Sequence, residues 1–243
     1  MKNISLALLL ALMSALIGCA PAYIPNAVNV PLLSNQGQFQ GAVSVGSSGT
    51  DFQTSYALTS NLGLMANGSF YEGTLTDNAD ATVVDKTKRI FFEGGAGYYT
   101  AFGSAGRFET YGGYGQGTST YSNSYDFFGP QEVIATGNYR RFFIQPSIGT
   151  ATDFFDAAIS LRTCYVNFYQ IKSGDLSLDH NVDGIFMEPV ITARLGYKHL
   201  KFMAQIGATI PLGQDVEMFW HPFLFNLGLS FDFGKKERTT ENK

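Results

Sequence analysis

From Phe39 onward the apolar residues recur at every second position, the period of a strand with one apolar face. Phe39, Gly41, Val43 and Val45 alternate with Gln40, Ala42, Ser44 and Gly46. Downstream, Phe142, Ile144, Pro146 and Ile148 oppose Arg141, Phe143, Gln145 and Ser147. Ala157, Ile159, Leu161, Thr163 and Tyr165 oppose Asp156, Ala158, Ser160 and Arg162. The same alternation runs through Met187–Leu195, Phe202–Ile210 and Phe223–Phe233. It predicts about ten strands, near 37–47, 51–59, 62–72, 88–101, 107–120, 138–149, 154–171, 185–197, 199–211 and 221–233. Brief connections at Ser60-Asn61, 103–106, 150–152 and Lys198 take turns with longer polar ones at 73–87, 121–137, 172–184 and 212–220; the one around Ser47–Thr50 is brief. Short turns at one end and long loops at the other are the habit of outer-membrane barrels.

Composition decides which face is which. The 243 residues include 27 Gly, 21 Phe and 13 Tyr, and only 15% are charged, against about 25% in a soluble domain. Past the N-terminal stretch no run of 18 apolar residues occurs, so no membrane helix is written. The expected fold is therefore all-β, a transmembrane antiparallel up-and-down barrel of about ten strands. Closure leaves no unpaired backbone in hydrocarbon. A soluble barrel would turn its apolar row inward and solvate the charges of the other row. Tyr71, Tyr98, Tyr121, Tyr139 and Tyr197 are expected in the interfacial girdles. A net charge of −4 without a basic cluster excludes nucleic acid as a partner.

The N-terminus is a separate region. Lys2 precedes an apolar run from Ile4 to Leu16 that is too short to span a bilayer. Leu16-Ile17-Gly18-Cys19 resembles the lipobox of bacterial lipoproteins. The resemblance implies cleavage before Cys19, acylation of that residue and, with Ala20 following it, sorting to the outer membrane. Residues 1–18 are then a signal peptide and 37–233 the barrel. Residues 19–36, broken by Pro21, Pro25 and Pro31, are expected as an extended periplasmic linker, and the sequence leaves open whether 20–36 enters the lumen as a plug. An even strand count returns both ends of the barrel to one side. That places the Cys19 lipid in the periplasmic leaflet and the polar tail, 234–243, in the periplasm. The stretch 23–49, YIPNAVNVPLLSNQGQFQGAVSVGSSG, resembles the opening of a family of small bacterial outer-membrane β-barrel proteins. It supports location and fold, and implies no activity, ligand or catalytic residue.

The row assigned to the lumen holds Glu93, Glu109 and Glu188 with Arg141, Arg162 and Arg194. Unpaired charges in a narrow, partly dry interior cost several kcal/mol each, so these residues should pair. Ten strands enclose little more than the roughly eight that side chains just fill. The ladder then either plugs the lumen or lines a narrow constriction that selects small solutes. His180, His199 and His221 match no metal-ligand spacing, and polar loops hold such residues routinely. Gly94-Gly95-Ala96-Gly97 and Gly112–Gly117 fit no phosphate loop; within strands they let large aromatics pack over a bare backbone. Cys164 reads as a small wall residue and forms no disulfide. No cofactor, metal or catalytic group is expected. The functional expectation is a monomeric, lipid-anchored, narrow passive channel with an Arg/Glu-lined lumen. The alternative is a non-conducting structural or surface-binding barrel whose long loops bind a partner. A hydrolase with His221 and Asp215 at the rim is a third reading.

Overall fold

A computed structural model describes residues 22–76, 84–125, 131–173, 176–178, 181–213, 216 and 218–234. The signal region, Cys19, His180, Asp215, Glu217 and residues 235–243 lie outside the described residues.

Ten long strands form the wall: β1 (Phe39–Gly46), β2 (Gly49–Ala57), β3 (Leu62–Thr76), β4 (Val84–Phe102), β5 (Gly106–Tyr125), β6 (Gln131–Ala151), β7 (Phe155–Ser173), β9 (Val182–Tyr197), β10 (Leu200–Ala208) and β12 (Phe223–Phe233). Two short pieces, β8 (Leu176–Leu178) and β11 (Ile210–Pro211), extend the ladders of β7 and β9. Every neighbouring pair is antiparallel. The pairing of β1 with β12, from Phe39↔Phe233 to Gly46↔Asn226, closes the barrel. No helix among the described residues is long and apolar enough to cross a membrane.

The wall is apolar outside and polar inside. On β7, Ile159 is 62% exposed whereas Arg162, three residues on, is 0% exposed. The same inversion holds on β6, where Phe142, Ile144 and Ile148 face out and Arg141, Gln145 and Ser147 are buried. A soluble barrel would have the opposite sense. Outward aromatics form a band near the short turns, with Phe39, Tyr56, Tyr98, Phe102, Phe154, Tyr197 and Phe233 exposed. Nearer the long loops Phe52, Phe70 and Phe92 form an edge-to-face row, with centroids 6.0 and 5.2 Å apart. The expected girdle is corrected at two positions. Tyr139 is buried in the lumen against Phe91 and Phe168, and Tyr71 lies under the inward Arg89 at 4.4 Å. Their strands do reach the interface, but the period of two turns these rings inward.

The rim at the long-loop end is uneven. Strands β3 to β7 have 15, 19, 20, 21 and 19 residues, and β9 has 16. Strands β1, β2, β10 and β12 have only 8, 9, 9 and 11. At this end the tall side, β3 to β7 with β9, therefore rises well past the ends of β1, β2, β10 and β12.

One expectation is overturned. Residues 22–31 run on without a ladder of their own, as expected of a proline-broken segment, but they are not a periplasmic linker. Tyr23, Ala27, Val28, Val30 and Leu33 are all at most 1% exposed inside the barrel. The strap starts at the long-loop end, where Ala22 N–H and Tyr23 N–H both donate to Phe219 O (2.9 and 3.1 Å). It reverses at the short-turn end. There Gly37 takes φ +81° in open space, Asn35 donates to Gly234 O at 2.8 Å and Gln36 to Leu58 O at 3.2 Å. The even strand count places the start of β1 at the short-turn end but says nothing of the chain before it.

Candidate functional site

The strap has no ladder of its own, so its amides must find partners on the wall. Gln205 of β10 supplies both for Val28, donating to Val28 O at 2.6 Å and accepting from Val28 N–H at 3.1 Å. Gln145 of β6 donates to Asn29 O at 2.7 Å. The Asn29 side chain donates to Thr54 O at 3.1 Å and to Asn67 Oδ1 at 2.7 Å. Asp51 accepts from Ala27 N–H at 3.4 Å.

The six charges of the sequence ladder all point into the lumen and divide into two groups. Glu93, Arg141, Arg162 and Glu188 form one buried network. Arg141 pairs with Glu93, and Arg162 reaches Glu93 at 3.8 Å and Glu188 at 2.6 Å. At its centre is a strap residue, Asn26. Its Oδ1 accepts from Arg141 at 2.6 Å and from Arg162 at 3.2 Å, its backbone O accepts from Arg162 at 3.0 Å, and its Nδ2 donates to Glu93 at 3.3 Å. Tyr23 completes the network, donating to Glu188 at 2.6 Å and accepting from Arg141 at 3.0 Å. Alternating charge in this way lets two guanidiniums stand side by side without an unpaired charge.

Glu109 and Arg194 form the second group and grip the strap backbone. Arg194 donates to Val30 O. Glu109 accepts from Leu32 N–H at 3.0 Å. Leu32 sits at φ +53°, a left-handed conformation that costs a β-carbon residue about 1–2 kcal/mol. The buried carboxylate and the flanking Pro31 hold it there.

Over the network, toward the long loops, lies an aromatic layer. Tyr23 stacks on Phe186 at 4.9 Å, Phe186 meets Trp220 at 5.9 Å, and Met218 closes the layer. Phe91, Tyr139 and Phe168 form a second stack. The glycines of β4 and β5 make room for such rings: a Cβ on Gly113 would lie 2.5 Å from Phe143 Cε1, and one on Gly117 2.7 Å from Tyr139 Cζ. Cys164 is a free thiol facing the lumen, with Sγ 3.5 Å from Tyr23 OH.

Sequence reading did not find Asn26, Tyr23, Gln205, Gln145 or Asp51. For Gln145 and Gln205 the visible signal is an uncharged amide in the inward row of a strand; Tyr23 and Asn26 lie outside any strand and carry no such signal. Among the described residues no group of three or more His, Cys, Asp or Glu is placed to hold a metal ion. His221 Nδ1 lies 2.6 Å from Phe223 O and His199 Nδ1 2.7 Å from Asp232 O.

No protein-family model matches the chain. No curated protein matches it. Among solved structures, the translocator domain of the autotransporter NalP from Neisseria meningitidis is similar over 95% of each chain, with 12% identity and a TM-score of 0.47. At that level the likeness carries no functional information.

Proposed function

We propose that this chain is an outer-membrane β-barrel sealed by its own N-terminal strap, a non-conducting scaffold that presents its tall rim and long loops on the cell surface. The apolar exterior with its aromatic bands supports a lipid setting, and the unequal connections support short turns in the periplasm. The observation that carries the sealed reading is Asn26, held by Arg141, Arg162 and Glu93 together. The charges that a selective channel would offer to a solute are spent on the strap. The reading contains no catalytic step and takes the barrel as a monomer. Parts of 73–87, 121–137, 172–184 and 212–220 are where a partner would meet it.

The test is conductance in a planar bilayer, with a heat-dependent gel shift to establish that each sample is a folded barrel. The full-length protein should be silent, and a variant lacking residues 22–34 should open in discrete steps. Steps of equal size from both proteins would sink the sealed reading and restore the narrow channel.

A further inference from the structure

Arg89 of β4 belongs to neither charged group of the lumen. It lies four residues from Glu93 on the same inward row, on the long-loop side. It is 9% exposed, and its Nε and Nη1 have no hydrogen-bond partner. The guanidinium is set over the Tyr71 ring at 4.4 Å, and the titratable groups that face it are the phenols of Tyr71 and Tyr139. Among the described residues no carboxylate pairs with it. Glu93 is taken by Arg141, Arg162, Asn26 and Asn67, and Asp51 accepts from Ser48 at 2.5 Å and from Ala27 N–H. A buried guanidinium keeps its proton, and without a counter-charge it is costly to hold out of water.

A cavity of about 10 Å³ adjoins it, lined by Arg89, Ser48 of the β1–β2 turn, Ser69, Tyr139 and, from the strap, Ile24 and Asn26. That is room for one water-sized guest and too little for a phosphate or a carboxylate. The Ser48 and Ser69 hydroxyls are given to Asp51, and the Asn26 side chain to the charged network. The guanidinium and the Tyr139 hydroxyl are left to face the guest, and both donate. Water would answer the N–H groups but not the charge. We propose that this cavity binds a single chloride-sized anion as the counter-ion of Arg89. Because Ser48 sits at the loop-end rim, the ion enters without crossing the Asn26 network. Once bound, it braces the low side of the rim at Ser48 to the tall side at Arg89 and Tyr139, over the strap.

The test is urea unfolding of the full-length protein in micelles, followed by Trp220 fluorescence, as sodium chloride replaces sodium gluconate at constant ionic strength. Once chloride exceeds its dissociation constant, each tenfold rise should multiply the folded-to-unfolded ratio by about ten. Arg89→Gln should abolish that dependence. No response to the exchange of gluconate for chloride, or a response that Arg89→Gln retains, overturns the proposal. If Arg89→Gln gives no heat-shifting barrel, Ser69→Val takes its place, filling the cavity while keeping the guanidinium. Loss of the chloride dependence then supports the site, and its retention overturns it. The titration does not read conductance, and so it separates this site from the sealing of the lumen.

Discussion

Gln205 holds Val28 by both of its backbone groups, donating at 2.6 Å and accepting at 3.1 Å, as a neighbouring strand would. One side chain thus substitutes for a ladder step. Replacing it with leucine keeps the volume but leaves an N–H and a C=O buried without partners. Gln205→Leu should lower stability by about 1–3 kcal/mol, read as the midpoint of urea unfolding in micelles with Trp220 fluorescence as the probe. An unchanged midpoint would mean that Val28 is not held in the lumen.

Asn26 joins two guanidiniums to a carboxylate, so its removal should be felt by all three. Asn26→Ala removes three charge-assisted hydrogen bonds, two accepted by Oδ1 and one donated by Nδ2, and should destabilise by about 3 kcal/mol or more. Combined with Glu93→Gln, the effects should be non-additive by more than about 0.5 kcal/mol in a double-mutant cycle. Simple additivity would dissolve the network into independent contacts.

The role of Arg162 should depend on the strap. In the full-length protein Arg162→Ala should leave the bilayer silent. In the barrel lacking residues 22–34 the same change removes a positive charge from an open lumen, and the reversal potential should move toward cation preference. No shift in the strapless barrel would show that Arg162 does not face the conducting path.

Ile159 tests the inside-out wall directly. It is exposed on the outer face of β7, four residues in from the short-turn end and midway along the stretch that a bilayer would cover, so Ile159→Arg should cost about 2–4 kcal/mol in a bilayer. Lys86→Ala, on the tall part of β4, should change stability by less than about 0.5 kcal/mol. Equal, small effects at both sites would place Ile159 in water.

Gly113 is bare because the backbone oxygen of Gly94 and the ring of Phe143 both stand where a Cβ would lie. Gly113→Val should destabilise by about 1–3 kcal/mol through displacement of that ring and of the β4 backbone at Gly94, seen as a lower temperature for the heat-dependent gel shift. An unaltered transition would show that neither the ring nor the Gly94 backbone closes this position.

The wall was legible in the sequence because a strand turns each successive side chain to the opposite face, and lipid accepts only one kind of row. Alternation from Phe142 to Ile148 and from Asp156 to Tyr165 therefore determined strands, facing and the inward placement of Glu93, Glu109, Arg141, Arg162, Glu188 and Arg194 without any knowledge of contacts. What those charges touch was not legible. Arg162 and Glu188 are opposite each other in the β7–β9 ladder, a pairing that depends on register, while Asn26 and Arg162 are 136 positions apart, and no local period encodes the meeting of a strap with a wall. The strap was the hardest part to see. Pro21, Pro25 and Pro31 determined that it is extended, but an extended chain makes no ladder and shows no period. Only the closed barrel decided that residues 22–36 lie within it, because there alone do the side chains of Gln145, Gln205, Glu109 and Arg194 converge to satisfy backbone groups that the strap cannot pair by itself.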